Sequence, residues 1–475
     1  MEGLQNISSR LELFVDDWLI EEMNGVSLQM HSPIPQEVVV EFNQPWEGSI
    51  SYDPVVMKEG DRYRLWYRGC GSESTWEDQC TAYAESADGV HWERPTLGIF
   101  EFNGSRDNNI VLQGTEAKAL CVFKDGNPKA PDSERYKAIG VGPPIDKRAT
   151  LRGFTSPDGV HWQTLDQDPI LIAPDDPWPM FDSHNVAFWD TLQNRYVAYA
   201  RGWTPLPTHR DSSDPIGVLV ERDRQAGTGV RAIRRSVSDD FRHWSDLEFI
   251  DLGNSPTEHL YKNACTQYFR APHIYLMFPK RFVPDRKFDN DWPASGLSES
   301  VFMTSRDGVH WDRRFMEPFL GLGADPDSWT DRNLYIGVGV VPTGPAEMSV
   351  YYMEHYRRPS IRLRRGVLRT DGFVSVNAPY AGGEFLTKPL IFEGDRLVVN
   401  YATSVAGGLR VEIQDAAGQP IDGYRLSECV EMFGDEIERV VRWENGSDVG
   451  SLAGRAVRLR FVMAAADLYA IQFRT

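Results

Sequence analysis

No apolar run in this 475-residue chain approaches the roughly 20 residues that a membrane-spanning helix requires, so no helical span is expected. Positive charge is in the minority. The 50 Lys and Arg face 69 Asp and Glu, a formal net charge of -19. That balance argues against nucleic acid or an anionic membrane as partner, since both demand a basic surface. It also disfavours strongly acidic polysaccharides as substrates. Cysteine is scarce. Cys70, Cys80, Cys121, Cys265 and Cys429 are odd in number and lack metal-ligand spacing, which favours free thiols in a reducing compartment. Cys70 and Cys80 are the two positioned to pair in an exported protein. The opening stretch, Met1 to Arg10, has neither the basic nor the apolar region of a signal peptide, and the expectation is a cytoplasmic protein. No motif calls for a cofactor, and nothing in the chain speaks to its oligomeric state.

Turn formers and aromatics, by contrast, are plentiful. Gly 40, Pro 30 and 14 Trp point to many turns around a packed β core, in a chain long enough for two domains. Four times the sequence writes nearly the same phrase: Ser86-Ala-Asp-Gly-Val-His-Trp92, Ser156-Pro-Asp-Gly-Val-His-Trp162, Ser238-Asp-Asp-Phe-Arg-His-Trp244 and Ser305-Arg-Asp-Gly-Val-His-Trp311. A fifth, eroded copy stands at Thr370-Asp-Gly-Phe373. The spacing of roughly 65 to 80 residues marks supersecondary units stacked around a common core. An Asp-Gly turn between strand-like flanks closes a hairpin, because Gly takes the positive φ the turn needs. The Trp after it has a large apolar face to lay across neighbouring strands. Each unit reads as strand, turn, aromatic-rich strand, then the Asp-Gly hairpin. Five such units predict an all-β fold that opens with a five-bladed β-propeller. Its span is 1–376, with an N-terminal segment at 1–37. After Ala378 the phrase gives way to alternating runs such as Leu409-Arg-Val-Glu-Ile413 and Val457-Arg-Leu-Arg-Phe461, the pattern of a β-sandwich over 377–475.

Chemistry in such a fold belongs where the innermost strands begin, because those ends converge on the axis. Aligning the units on their aromatic strands sets Asp53 of the first opposite His184 of the third and Asn263 of the fourth. Asp53 opens a strongly apolar strand, and the following Pro54 restricts it to extended geometry. Asp182 lies in the polar run Asp182-Ser-His-Asn185, and Glu258 leads into the inner strand of the fourth unit. Three carboxylates on three units meet the needs of glycosidic cleavage: an acid for the leaving oxygen, a nucleophile or base, and a third group to orient the sugar. Trp66, Arg68, His184, Arg201, Tyr261, Lys280 and Arg281 are candidates for stacking on the sugar and hydrogen bonding to it. The expected partner is a carbohydrate.

The Asp53-Pro54 strand start, with Gly60 and the Tyr63-Arg-Leu-Trp-Tyr67 strand after it, resembles the first blade of glycoside hydrolase families 43 and 32. The recurring hairpins do too, and the C-terminal segment is similar to the β-sandwich that follows the propeller in family 32. The resemblance implies a furanosidase-type site with Asp53 as nucleophile or general base, Glu258 as general acid and Asp182 as the stabilising carboxylate. The chain departs from family 32 in carrying Ser51-Tyr-Asp-Pro-Val55 in place of Asn-Asp-Pro-Asn-Gly. In the second unit, where those families supply a carboxylate, it has Lys118-Ala119. Glu347, at the edge of the fifth unit, is the reserve candidate for the acid.

Two readings of other classes stand beside this one. A propeller that has lost its second and third carboxylates is a non-catalytic sugar-binding protein. Alternatively, His184, His259 and neighbouring carboxylates hold a divalent ion, although no spaced ligand motif supports a metal. His91, His161, His243 and His310 recur inside the hairpin phrase and read as structural.

Overall fold

The computed structural model describes residues 3–70, 79–166, 169–174, 180–205 and 229–475. Its regular elements are β-strands and a few single 3-10 turns, an all-β fold. Two compact units divide the chain: Pro33–Thr343 with Met348–Val367, and Met1–Ser32 with Gly344–Glu347 and Leu368–Thr475. The N-terminal segment therefore clusters with the C-terminal part of the chain, and not with the repeats it precedes.

Strand pairing explains that difference. Gln5 pairs with Leu390, Glu12 with Ile471, Met23 with Phe385 and Leu28 with Val376, so four short N-terminal strands extend one large sheet. Its long members, Arg396–Asp415 and Val457–Arg474, pair antiparallel along most of their length. Along the second of these, Val457, Leu459, Phe461 and Met463 are buried while Arg458, Arg460 and Val462 are half-exposed, the alternation expected of a strand with one core face. Ile7, Phe14, Leu19 and Ile20 enter the same core.

In the larger unit the strands fall into five successive groups. The first is built on Tyr52–Glu59, Arg62–Gly69 and Cys80–Ser86. The second uses Cys121–Lys124, Tyr136–Ile145 and Arg148–Ser156. The third uses Val186–Asp190, Arg195–Pro205 and Gly229–Ser238. The fourth is interrupted: Ala271–Met277 and Lys280–Val283 lie either side of Pro279, which has no N–H to give a ladder. Backbone bonds from Val301 N to Pro279 O (2.9 Å) and from Phe278 N to Asn263 O (2.9 Å) carry the pairing across the break. The fifth joins Tyr335–Ile336, Glu347–Glu354 and Arg362–Arg369, and Ile34–Glu41 completes its edge. Residues 38–41 thus belong to the last group, although they precede the first in sequence.

The hairpin phrase is a self-contained hydrogen-bond net. In all four copies the Ser hydroxyl accepts from the backbone N–H three residues on at 2.9 Å. The Asp Oδ1 accepts from the His backbone N–H at 2.8 Å. The Asp Oδ2 meets the His Nδ1 at 2.7 Å. The turn position is left-handed even where the third copy writes Phe241, at φ 66°. Aromatics of neighbouring groups then hold the hairpin tips. Trp66 Nε1 donates to Gly159 O (2.7 Å), Tyr199 OH to Gly308 O (2.8 Å), and Tyr351 OH, from the last group, to Gly89 O of the first (2.6 Å). The first and last groups also join directly, Val56 N donating to Val338 O at 2.8 Å and Val338 N to Pro54 O at 2.9 Å. Val55, Val122, Val186, Cys265 and Val340, one from each group, line an apolar cavity of about 430 Å³.

Candidate active site

At the other end of the same inner strands lies a polar cavity of about 280 Å³. Each group delivers the residues that enter its innermost strand: Tyr52 and Asp53 from the first, Lys118 from the second, Asp182 and Ser183 from the third, Tyr261 and Lys262 from the fourth, Arg332 from the fifth. The chain reaches these positions through left-handed residues, with φ of 57° at Asp53, 55° at Ala119, 60° at Phe181, 49° at Lys262 and 52° at Arg332. Non-glycine residues in that region cost on the order of 1–3 kcal/mol each, and such strain concentrates where a side chain must be aimed. Asp53 is therefore not extended as Pro54 predicts. A pairing irregularity between Tyr52 and Val55 makes room for the left-handed turn that points its carboxylate into the cavity.

Asp53 is 2% exposed and accepts a hydrogen bond from Lys262 Nζ. Burial alone raises its pKa, but Lys262 foremost, then His184 and Arg68, outweigh burial and hold it at about 2. Lys262 is pushed the other way by burial and pulled down to about 8, Asp53 offsetting part of that. Its ammonium lies 4.2 Å from the Tyr52 ring centre and 4.9 Å from that of Tyr335. Lys280, buried, donates to Tyr52 OH at 2.7 Å and to the Arg332 carbonyl. Burial, then Lys262 and Arg332, press its pKa well below the usual lysine value. Asp182 stands at the mouth with 57% of its side chain exposed. It accepts from Lys118 Nζ at 2.5 Å, and Arg201 Nη1 donates to its carbonyl at 2.6 Å. Against burial, Lys118 and Arg201 keep its carboxyl below the ordinary range.

Of the residues singled out from sequence, Asp53, Asp182, Arg68, Arg201, Tyr261 and Lys280 line this cavity. The others do not. Glu258 and Arg281 are spent on each other: Arg281 Nη1 donates to Glu258 at 2.9 Å and Arg313 Nε at 3.2 Å, in a buried ion cluster that Glu299 completes. Trp66 is fully buried and serves the Gly159 hairpin. His184 sits behind Asp53, its Nδ1 2.5 Å from Tyr335 OH, and burial lowers its pKa to about 4. His259 Nδ1 accepts from Arg231 N at 3.1 Å. Among the described residues no group of three or more His, Cys, Asp and Glu is arranged to hold a metal ion. Glu347 does not line the cavity either.

Lys262, Arg231, Arg332 and Arg357 line the cavity and were not among the residues expected from sequence. The sequence alignment set Asn263, one residue past Lys262, opposite Asp53 and placed no residue of the fifth unit there, so Lys262 and Arg332 were both passed over. Arg231 lies on the third strand of the third group, opposite Trp203 of the second, and no sequence signal marks it.

No protein-family model matches the chain. Two curated proteins of Mycobacterium tuberculosis match part of it: "Uncharacterized protein MT1551" at 27% identity and "Uncharacterized protein Rv1502" at 25%, each over 182 residues. Those residues are 37% of this chain and 53% of each relative, so the match spans about half the length of the curated relatives. Among solved structures, an N-acetylgalactosamine deacetylase from F. plautii in complex with blood group B trisaccharide is similar with a TM-score of 0.47 at 15% identity, over 73% of this chain and 96% of that one. A glycosyl hydrolase from Bacteroides ovatus gives 0.43 at 14%, over 75% and 96%. A further glycoside hydrolase gives 0.42 at 14%, over 71% and 92%.

Proposed function

We propose that the chain is a five-bladed β-propeller enzyme that cleaves a glycosidic bond, of a furanoside or small oligosaccharide, in the cavity floored by Asp53. The observation that carries this reading is a buried, ionised carboxylate aimed by a strained backbone into a polar cavity, with a second carboxylate at the mouth. The five strand groups, and the contacts that return from the last to the first, support the propeller. The alternating burial of Val457–Arg474 supports a β-sandwich for the other unit. Asp53 attacks the anomeric carbon or takes a proton from the attacking water. Asp182, ionised and exposed, orients sugar hydroxyls. Glu258 has no part in this scheme. The proton for the leaving oxygen comes from the lysine pair: Lys262 and Lys280 are the lining amines pressed towards proton release. A cytoplasmic site of action belongs to the proposal, supported by five buried cysteines that form no disulfide.

The test is Asp53→Asn, assayed on aryl furanosides and oligosaccharides beside the parent. The amide keeps the shape and removes the charge, so circular dichroism stays unchanged while turnover falls by orders of magnitude. Near-parent turnover in the folded variant sinks the reading. A non-catalytic sugar-binding protein is the second reading. It is favoured by the fact that both lining carboxylates are held ionised, so that no carboxyl among the described lining residues is set up as an acid. A parent that binds oligosaccharides and turns none over decides for it.

A further inference from the structure

The charge of the whole chain and the charge of this cavity have opposite signs. In a chain of net charge -19, the described residues of the cavity wall carry eight Lys and Arg side chains against Asp53 and Asp182. Average charge governs solubility and long-range repulsion, while a concave site answers to the charges that line it.

The cations are also concentrated. Arg201 and Arg231 are 6% and 7% exposed. Their guanidinium carbons lie 5.4 Å and 5.7 Å from the centre of the Tyr261 ring. Arg231 is also 4.4 Å from the centre of Phe282, and Arg332 is 5.6 Å from the same ring. The Trp203 ring centre lies 5.0 Å from the Arg201 and 4.8 Å from the Arg231 guanidinium carbon, so three guanidinium groups share three aromatic rings on one side of the cavity. Each has a partner of its own: Asp182 lies 3.5 Å from Arg201 Nη1, His259 Nδ1 3.2 Å from Arg231 Nη1, and Asp331 2.8 Å from Arg332 Nη1. Like charges gathered this closely repel, and an oxyanion held between them relieves the repulsion. Guanidinium forks match the geometry of carboxylate, sulfate and phosphate oxygens, and stacking on aromatic rings fixes the forks in advance.

We propose that the cavity receives a saccharide carrying an oxyanion (carboxylate, sulfate or phosphate) seated against Arg201, Arg231 and Arg332. The saccharide half of this statement rests on the glycosidase reading; the oxyanion half rests on the cavity wall. The bulk-charge argument against acidic sugars gives way here to the local field.

Calorimetric titration of the full chain tests it, with neutral monosaccharides, the matching uronic acids, sugar sulfates and sugar phosphates, and inorganic phosphate and sulfate alone. An anionic sugar binds about ten- to a hundredfold tighter than its neutral parent, the range of a hydrogen bond to a charged group. The preference shrinks as salt is raised. Arg231→Gln lowers the ratio of anionic-sugar to neutral-sugar affinity at least tenfold, and Arg231→Lys keeps part of it; thermal melts establish that both variants fold. Equal affinity for neutral and anionic sugars in the parent overturns the proposal. So does a folded Arg231→Gln with the preference intact. Inorganic phosphate or sulfate binding as tightly as every anionic sugar makes the oxyanion a separate ligand and overturns its assignment to the saccharide. Asp53→Asn keeps the two proposals apart: it abolishes turnover and leaves the anion preference in place, so anionic-sugar binding without turnover in the parent sinks the hydrolase reading alone.

Discussion

Asp53 sits where loss of water raises the pKa of a carboxyl, yet Lys262, His184 and Arg68 hold it at about 2. A carboxyl depressed from its ordinary 3.8 stabilises the fold above that pH, and the contribution is lost as pH falls towards 2. Across the neutral range it stays charged, as a nucleophile or base must. Lys262, lowered to about 8, has the opposite consequence: the fold carries its charged form at a cost below that pH and sheds the cost above it. The pair sets the expected pH profile. In the parent, kcat/KM falls on the alkaline side near pH 8 as Lys262 loses its proton. Lys262→Met removes that limb and takes away the largest influence opposing burial at Asp53, so the acid limb moves to higher pH. An unchanged acid limb in a folded Lys262→Met separates Lys262 from the control of Asp53. Glu258 is expected to behave differently. It is bound to Arg281 and Arg313 with 1% of its side chain exposed, and a broken buried pair costs on the order of 3 kcal/mol or more. Glu258→Gln therefore lowers the melting temperature while kcat stays near the parent's, on good and poor leaving groups alike. A selective loss on poor leaving groups returns Glu258 to the role of acid.

At the scale of the element, the hairpin phrase was legible because its hydrogen bonds are local. Ser, Asp and His meet within a few residues of one another, so identity and spacing alone dictate the turn. What each hairpin touches was not legible, since the partners of Gly89, Gly159 and Gly308 come from sequence-distant strands. The same limit explains Trp66. An aromatic on an inner-group strand suits a sugar platform and a hairpin anchor equally well, and only the fold distinguishes them. The four hairpin Trp residues are not equivalent in burial: Trp311 is 4% exposed, while Trp92, Trp162 and Trp244 are half-buried. Trp311 also packs edge-on against Tyr199 at 5.7 Å. Trp311→Ala is expected to cost roughly 3–5 kcal/mol, the range for a buried aromatic truncated to Ala. The three half-buried positions lose less, in proportion to the area they cover. Denaturant melts of the four variants check the ranking, and equal losses at all four show that burial does not set the cost.

At the scale of the molecule, a change of texture is visible after Ala378 because alternating and repeat-bearing sequence differ in composition, but the unit it belongs to resumes earlier, at Leu368, and that start was not visible. Membership of the N-terminal segment was not, because strand pairing between residues hundreds of positions apart leaves no mark on either partner alone. The consequence is testable in the unit that holds Met1–Ser32 and Leu368–Thr475. Ile7, Phe14, Leu19 and Ile20 are buried in its core, and Phe14 stands edge-on to Phe385 at 5.3 Å and to Phe461 at 6.5 Å. At about 1.5–3 kcal/mol per buried side chain, these four supply on the order of 10 kcal/mol of burial, comparable with the whole stability of a domain. Their removal also strips partners from Leu390, Phe385 and Ile471 and leaves open strand edges. Deletion of residues 1–32 is therefore expected to unfold that unit, with the loss of one calorimetric transition and protease cleavage within 368–475. The repeat-bearing unit keeps Ile34–Glu41, the strand that completes its last group, and its own transition persists. A truncated chain in which residues 368–475 still melt cooperatively and resist protease shows that the N-terminal strands decorate this sheet without holding it together.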